Sequence, residues 1–347
     1  MAQSVAVCGL ERQGGAPYKL RPMAAKRFPI LFITASRIGD AVLSSGLLKT
    51  LVDEVPEARF TVVGSALTAP LFAATPRLDE LIVMDKRPAA GHWLSLWRRV
   101  RTRRWGLVVD MRGSAMARLL KPWRRAVRRR GESAEHKVVE AARLLKLEDA
   151  PPSPFLFTDE AIESRAEALT RGASPILAMA PFANWVGKAW PAERFALVAR
   201  QLLGRDGALA GARLMVVGGP EDQMAAEPVR SAVERSRVID LVGREELLVV
   251  YAALKRARLF IGNDSGVAHL AAAAGAPTLG LFGPSDEDLY APWGSLARTV
   301  RGPRTFDEIL DIDPELNQQI CHMMDLTPQT VLARAEALLE DTVRADA

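Results

Sequence analysis

The chain is almost without cysteine: of 347 residues, only Cys8 and Cys321 carry a thiol. That excludes a disulfide framework and points to a reducing compartment. Neither thiol has a metal-type companion, which argues against a zinc site. Long apolar runs are also missing, since none approaches the roughly 20 residues needed to span a bilayer. The first 27 residues lack the apolar core of a secretory signal: residues 4–10 are too short, and a Gly/Arg/Gln segment follows. The expected location is therefore the cytoplasm. Two nucleotide fingerprints are absent as well. No G-x-G-x-x-G follows a strand-like run, and no G-x-x-x-x-G-K-[ST] occurs. There is no tandem repeat of fixed period.

What remains is the composition of a globular protein, with 49% hydrophobic and 25% charged residues. The length suggests two domains, each able to bury a core. The net charge of +5 conceals an asymmetry. Residues 1–160 hold 27 Lys/Arg against 16 Asp/Glu, a net of +11, and residues 161–347 hold 19 against 25, a net of −6. From Arg98 to Arg130 there are 13 basic residues and one acid, Asp110. Such an excess concentrates anionic partners: nucleic acid, anionic lipid or a phosphorylated glycolipid would all fit. The plainer alternative is a solvated helix face. Trp93, Trp97, Trp105 and Trp123 are interleaved with these arginines, which suits either stacking on nucleic acid or a headgroup interface.

Residues 1–27 show no periodicity and are expected to form a disordered extension. Order should begin with a buried-type strand over 28–34, followed by helical spacing in Val42, Leu43, Leu47, Leu48 and Leu51. Strand-like runs recur at 59–64, 81–84 and 107–110. A proline cluster at 151–154 marks a break, and a polar helix is expected over 159–170. Strands should follow at 176–180, 213–218, 238–241, 259–262 and 278–282, with a final helix from Pro328. The alternation predicts an α/β protein with two doubly wound parallel sheets, in residues 28–157 and 158–347. Ligands of such sheets bind at the carboxyl ends of the strands.

Four segments fall at such ends. In Gly262-Asn263-Asp264-Ser265-Gly266, an apolar run breaks into a polar turn before an alanine-rich helix. A helix N-terminus with Ser265 and unpaired amides suits a phosphate, although Asp264 or Ser265 could equally be a simple cap. In Ser36-Arg37-Ile38-Gly39-Asp40, Gly39 permits a sharp turn, and Asp40 opens a helix either as a cap or as a general base. Lys188 lies just ahead of Pro191, a residue suited to the first helical position, and can reach a diphosphate as a compact charge. Glu221 in Val217-Gly218-Gly219-Pro220-Glu221-Asp222 could accept from ribose hydroxyls or merely complement a helix end. No carboxylate pair of metal-binding spacing accompanies these motifs, so no obligatory divalent ion is expected.

Together these segments resemble glycosyltransferase family 9, the ADP-heptose–lipopolysaccharide heptosyltransferases. Asp264, Ser265, Gly266, His269, Ala272 and Ala273 fall on the family's D-[ST]-G-x-x-H-x-x-A-A pattern. Ser36 to Asp40 fits its S-x-x-G-D turn, Lys188-Ala189-Trp190-Pro191 its K-x-W-P element, and Leu241-Val242-Gly243 its L-x-G turn. The resemblance covers about residues 29–342. It departs at Ile320-Cys321-His322-Met323-Met324, where the family commonly has a second cysteine. It implies two Rossmann-like domains facing across a cleft (GT-B type), with the last helix packing back toward the first domain. It further implies inverting transfer of a sugar, most readily heptose from ADP-heptose, to an anionic lipopolysaccharide-core or lipid-linked acceptor at the inner membrane surface. In that reading Asp40 is the general base. Lys188, Glu221, Asp264, Ser265, Gly266 and His269 hold the nucleotide sugar, and Gly39, Arg128, Arg129 and Arg130 hold the acceptor. No cofactor is implied, and the family often has a histidine near His136, of unsettled role. The alternatives are a family member using another nucleotide sugar, such as a hexosaminyltransferase, and a basic nucleic-acid-binding protein. The latter would explain neither Asp40 nor the Lys188 element, and nucleic acid is not the expected partner.

Overall fold

Leucine, isoleucine and valine dominate both faces of the central strands, as they must when helices cover a sheet on both sides. In the computed structural model, which describes residues 27–85, 91–129, 131, 134–172 and 174–346, these strands form two separate parallel sheets. The expected extension over 1–27 falls, apart from Arg27, outside the described residues, as do Cys8 and Arg130. Two compact units meet in sequence at Phe157 and Thr158.

The first unit comprises β1 (Phe28–Ile33), α1 (Ile38–Leu43), α2 (Ser45–Glu54), β2 (Ala58–Gly64), β3 (Leu78–Val83), α3 (Gly91–Val100), β4 (Leu107–Asp110), α4 (Met116–Leu119), β5 (Arg124–Val127) and α5 (Lys137–Ala142). Its sheet order is β3-β2-β1-β4-β5, all parallel. The order reverses between β1 and β4, which makes the carboxyl ends of those two strands the expected ligand position. Ile30 to Ile33 are fully buried, and Leu31 and Ile33 pack in one cluster with Trp105, Leu96 and Val100.

The second unit comprises α6 (Glu160–Thr170), β6 (Ile176–Ala180), α7 (Ala192–Leu203), β7 (Arg213–Val216), α8 (Glu227–Arg230), β8 (Val238–Asp240), α9 (Leu247–Leu254), β9 (Leu259–Asn263), α10 (Gly266–Ala273), β10 (Thr278–Phe282), α11 (Glu287–Tyr290), β11 (Ala297–Arg301), α12 (Phe306–Ile312) and α13 (Pro328–Asp346). Here the order is β11-β10-β9-β6-β7-β8, again all parallel, with the reversal between β6 and β9. Val331, Ala335, Leu338 and Leu339 form the buried stripe of α13, which packs on α7 and on the β9–β11 side of this unit's own sheet.

Two strands were not foreseen, and for one reason. β5 reads Arg-Arg-Ala-Val and β11 reads Ala-Arg-Thr-Val-Arg, and each buries only one residue. Edge strands keep little apolar signal, so charge conceals them.

Candidate active site

In the second unit four loops leave the same carboxyl edge of the sheet. They follow β6, β7, β9 and β10, and those after β6, β9 and β10 meet at Asp264. This residue directly succeeds β9, and its amide donates to the Leu281 carbonyl of β10 at 3.0 Å. Its Oδ2 accepts from Lys188 Nζ at 3.1 Å and from Ser285 Oγ at 2.7 Å. His269, buried on α10, sits with Nε2 3.8 Å from Asp264 Oδ1. Three residues singled out in the sequence (Lys188, Asp264 and His269) are thus brought together, along with Ser285, which was not. The Gly-Pro-Ser-Asp run after β10 was its only signal.

Asp264 does not cap α10. Ser265 occupies the N-cap position in extended conformation, yet its side chain makes no cap bond, and its Oγ is buried without a partner among the described residues. Gly266 is the first helical residue, so its amide and that of Val267 have no intrahelical acceptor. The edge therefore presents a cation, a hydroxyl and a helix N-terminus to whatever lies beside Asp264. Such a set suits a phosphate.

Lys188 stands at the end of a short 3-10 turn, Val186–Lys188, that begins with a tight fold of the chain. A Cβ on Gly187 would lie 2.3 Å from the Trp185 ring, so only glycine lets the indole lie against the backbone here. Beyond the lysine, the Trp190 amide donates to Asn263 Oδ1 at 3.1 Å, and the buried Trp190 indole stacks edge-on against Phe195 at 5.0 Å. The K-x-W-P element is thus anchored through Trp190 and leaves the lysine projecting toward Asp264. Asn263, another residue not foreseen, is the anchor's partner.

Glu221 lies on the neighbouring loop and is exposed. Capping of its 3-10 turn, Pro220–Asp222, falls to Asp222 instead, whose Oδ2 accepts from the Gly219 amide at 2.8 Å. Burial raises the Asp222 carboxyl above its usual range. The Leu-Val-Gly turn after β8 packs directly against this loop. Gly243 has φ +62°, a region that disfavours side chains, and a Cβ there would lie 2.5 Å from the Pro220 Cα. Its amide donates to the Gly218 carbonyl at 3.0 Å.

In the first unit, Asp40 is the third residue of α1, so helix begins at Ile38 with Arg37 as the cap position, and Gly39 is already helical. Asp40 is half-buried. Burial pushes its carboxyl above the ordinary range, while the positive charges of Arg37, Arg128 and Lys137 pull the other way and Glu140 adds to the rise. Among the described residues no hydrogen bond to its side chain is found, which leaves the carboxylate available to accept a proton. Arg128, just after β5, bonds Glu140 at 2.6 Å, and Lys137 bonds the other oxygen of Glu140 at 2.8 Å. Burial alone would raise Glu140, but those two bonds outweigh it and hold its carboxyl low. His136 caps α5, its Nδ1 accepting from the Val138 amide at 3.2 Å.

The arginine-rich stretch divides into two parts. Arg99 pairs with Glu80 and Arg103 with Asp79, while Trp105 is buried in the core and Trp93 and Trp97 pack on it. These aromatics are structural. Residues 118–125 differ: Leu119 and Trp123 are each 60% exposed, flanked by exposed Arg118, Lys121 and Arg125, and Arg129 is exposed nearby.

Comparison with known proteins adds the family. The model of glycosyltransferase family 9 (heptosyltransferase) matches residues 101–309, more than half of the chain. The chain belongs to glycosyltransferase family 9 and is an enzyme of the transferase class. It is 24% identical to lipopolysaccharide heptosyltransferase 2 of Salmonella typhimurium over 90% of this chain and 99% of that one. The Escherichia coli lipopolysaccharide heptosyltransferase 2 is also 24% identical, over 89% and 98% of the two chains. Among solved structures, a family 9 glycosyl transferase from Veillonella parvula superposes with TM-score 0.75 at 22% identity, covering 92% and 99% of the chains. E. coli ADP-heptose lps heptosyltransferase II does so with TM-score 0.72 at 23% identity, over 91% and 100%. The fold is that of two Rossmann-like α/β domains of the GT-B type.

Proposed function

We propose that this enzyme transfers heptose, with inversion, from ADP-heptose to a lipopolysaccharide-core acceptor. The observation that carries the reading is the cluster of Lys188, Asp264 and Ser285 beside the N-terminus of α10, on the carboxyl edge where the sheet order reverses, in a chain of this family. The long similarity to lipopolysaccharide heptosyltransferases supports the choice of donor and acceptor. Lys188, Ser265 and the Gly266 amide serve the diphosphate, with His269 and Asp264 holding that group in place, and exposed Glu221 accepts from the ribose. An acceptor hydroxyl attacks the anomeric carbon while the bond to the diphosphate breaks on the opposite face. Asp40 takes the hydroxyl proton, and Lys188 meets the charge that grows on the departing ADP. Because the donor is held by side chains and amides, the reading assigns no role to a metal.

A nucleotide panel tests the donor. A ligand at about 100 times its Kd stabilises the native state by about 2.7 kcal/mol, enough to raise Tm by several degrees. ADP is expected to give that rise, and GDP and UDP are not. A UDP-specific rise with ADP inert would replace the heptosyl reading with transfer from a UDP-sugar.

Gly39 and the basic residues at 128–130 belong to the acceptor side in this reading, but Arg128 is already committed to Glu140. The exposed set around Leu119 and Trp123 is better suited to meet an anionic membrane surface that presents the acceptor. Among the described residues no helix is long and apolar enough to cross a membrane. Each basic residue near an anionic surface contributes about 1 kcal/mol, fading within a Debye length. Replacing Arg118, Arg125 and Arg129 by Gln should therefore raise the acceptor KM by up to about 100-fold at low salt. ADP affinity should not change. The wild type should lose acceptor affinity as salt rises, and the triple variant much less. Identical salt curves would make this patch an ordinary solvated surface.

A further inference from the structure

Behind the Lys188 loop lies a buried acid–histidine pair that the reaction itself does not use. Asp313, 1% exposed at the end of α12, faces His322, 2% exposed, with Oδ2 3.1 Å from Nε2. The Asn317 amide donates to Asp313 Oδ1 at 3.2 Å, and the Gln318 amide to Oδ2 at 3.1 Å. Two backbone amides thus already serve this carboxylate, and because an ionised carboxylate can only accept, the tautomer that fits the pair carries its proton on Nε2. Nδ1 is buried with no partner among the described residues.

The pair fixes the segment that walls the loop. The His322 amide donates to the Gly187 carbonyl at 2.9 Å, and its ring lies 5.9 Å from that of Trp185. Cys321 Sγ donates to the Ala189 carbonyl at 3.2 Å, and Trp190 Nε1 donates to the Leu326 carbonyl at 2.9 Å. Arg304 ties the His322 carbonyl (2.8 Å) to Asp325 (2.5 Å). Residues 185, 187, 189 and 190 therefore all rest on the 321–326 wall, while Lys188 between them points away toward Asp264. A buried polar pair contributes little to net stability compared with apolar packing of the same volume, and its well-attested use is to fix one arrangement among several.

We propose that Asp313 and His322 are positioning residues for the donor diphosphate: they hold the backbone on both sides of Lys188 so that its ammonium stays at the Asp264 edge. This rests on the donor site proposed above. Both side chains are buried, so their effect on a bound diphosphate is expected to travel through Lys188.

A mutant cycle tests the route, read as ADP affinity by calorimetry with Tm followed in parallel. Lys188→Ala comes first, because unchanged ADP affinity in that variant would overturn the donor site itself. Given that loss, His322→Ala is expected to weaken ADP about tenfold, and His322→Gln, whose amide can still donate to Asp313, should recover most of it. In the Lys188→Ala background, His322→Ala should cost less than about twofold, since the group it positions is gone. The same loss in both backgrounds would overturn the proposal, as would a fall in Tm with ADP affinity intact. If His322→Ala does not fold, the cycle with Asp313→Asn decides by the same two outcomes.

Discussion

Asp40→Asn is expected to lower turnover by about 10²–10⁴, the usual worth of a general base, with ADP affinity unchanged. The donor cluster consists wholly of residues from 185 onward, and Asn keeps the size of Asp within α1. The raised Asp40 carboxyl sets two further signs. Activity needs the carboxylate, so kcat/KM should fall as pH drops through the raised value, at a higher pH than an ordinary carboxyl would give. Stability runs the other way. The unfolded chain gives up this proton at lower pH than the folded one, so ionisation favours unfolding as pH rises between the two values. The penalty is fully present above the folded value. Asn removes the charge, and the variant should therefore keep or gain Tm while losing its chemistry, as expected where function holds a group in an unfavourable state. A variant with full turnover would take Asp40 out of the mechanism. A variant that loses turnover only because Tm collapses would make the residue structural.

Candidate site residues are legible in the sequence where a motif sits on one strand and the turn that follows it. Asp40, Lys188, Glu221 and Asp264 were each visible because an apolar run ended in glycine or a polar turn, and that edge of a parallel sheet is where ligands collect. The parts that were not visible depend on register between distant strands. Ser285 reaches Asp264 only because β10 lies beside β9, and Asn263 holds Trp190 only because β9 lies beside β6. Nothing in the local sequence around either residue announces that adjacency. The choice between a cap and a ligand for Asp264 was likewise undecidable locally. In the fold the carboxylate pairs with Lys188, 76 residues away, and not with the helix end. The arginines misled in part because charge marks neither burial nor pairing. Arg99 and Arg103 serve the β3 edge through Glu80 and Asp79, whereas Arg118, Lys121 and Arg125 are exposed beside two exposed apolar side chains.

Lys188→Ala should weaken ADP roughly 10- to 100-fold, the worth of a hydrogen bond to a charged group. It should also lower turnover, and the two losses have separate causes. The ammonium meets the diphosphate in the ground state, which sets affinity, and meets more charge as ADP departs, which sets rate. Stability should respond as well. Among the described residues Lys188 and Ser285 are the two side chains that bond Asp264 Oδ2, and the Asp264 side chain is only 9% exposed. Removing the cation leaves a nearly buried carboxylate with one hydroxyl and a histidine 3.8 Å from its other oxygen, at a cost of about 1–3 kcal/mol. ADP should rescue the variant poorly, because the ligand brings further negative charge to the same place. Adding Asp264→Asn to Lys188→Ala should restore Tm, since the uncompensated charge is gone, without restoring turnover. A Lys188→Ala enzyme with normal ADP affinity would show that the ammonium serves Asp264 alone, and the donor would then have to bind elsewhere on this edge.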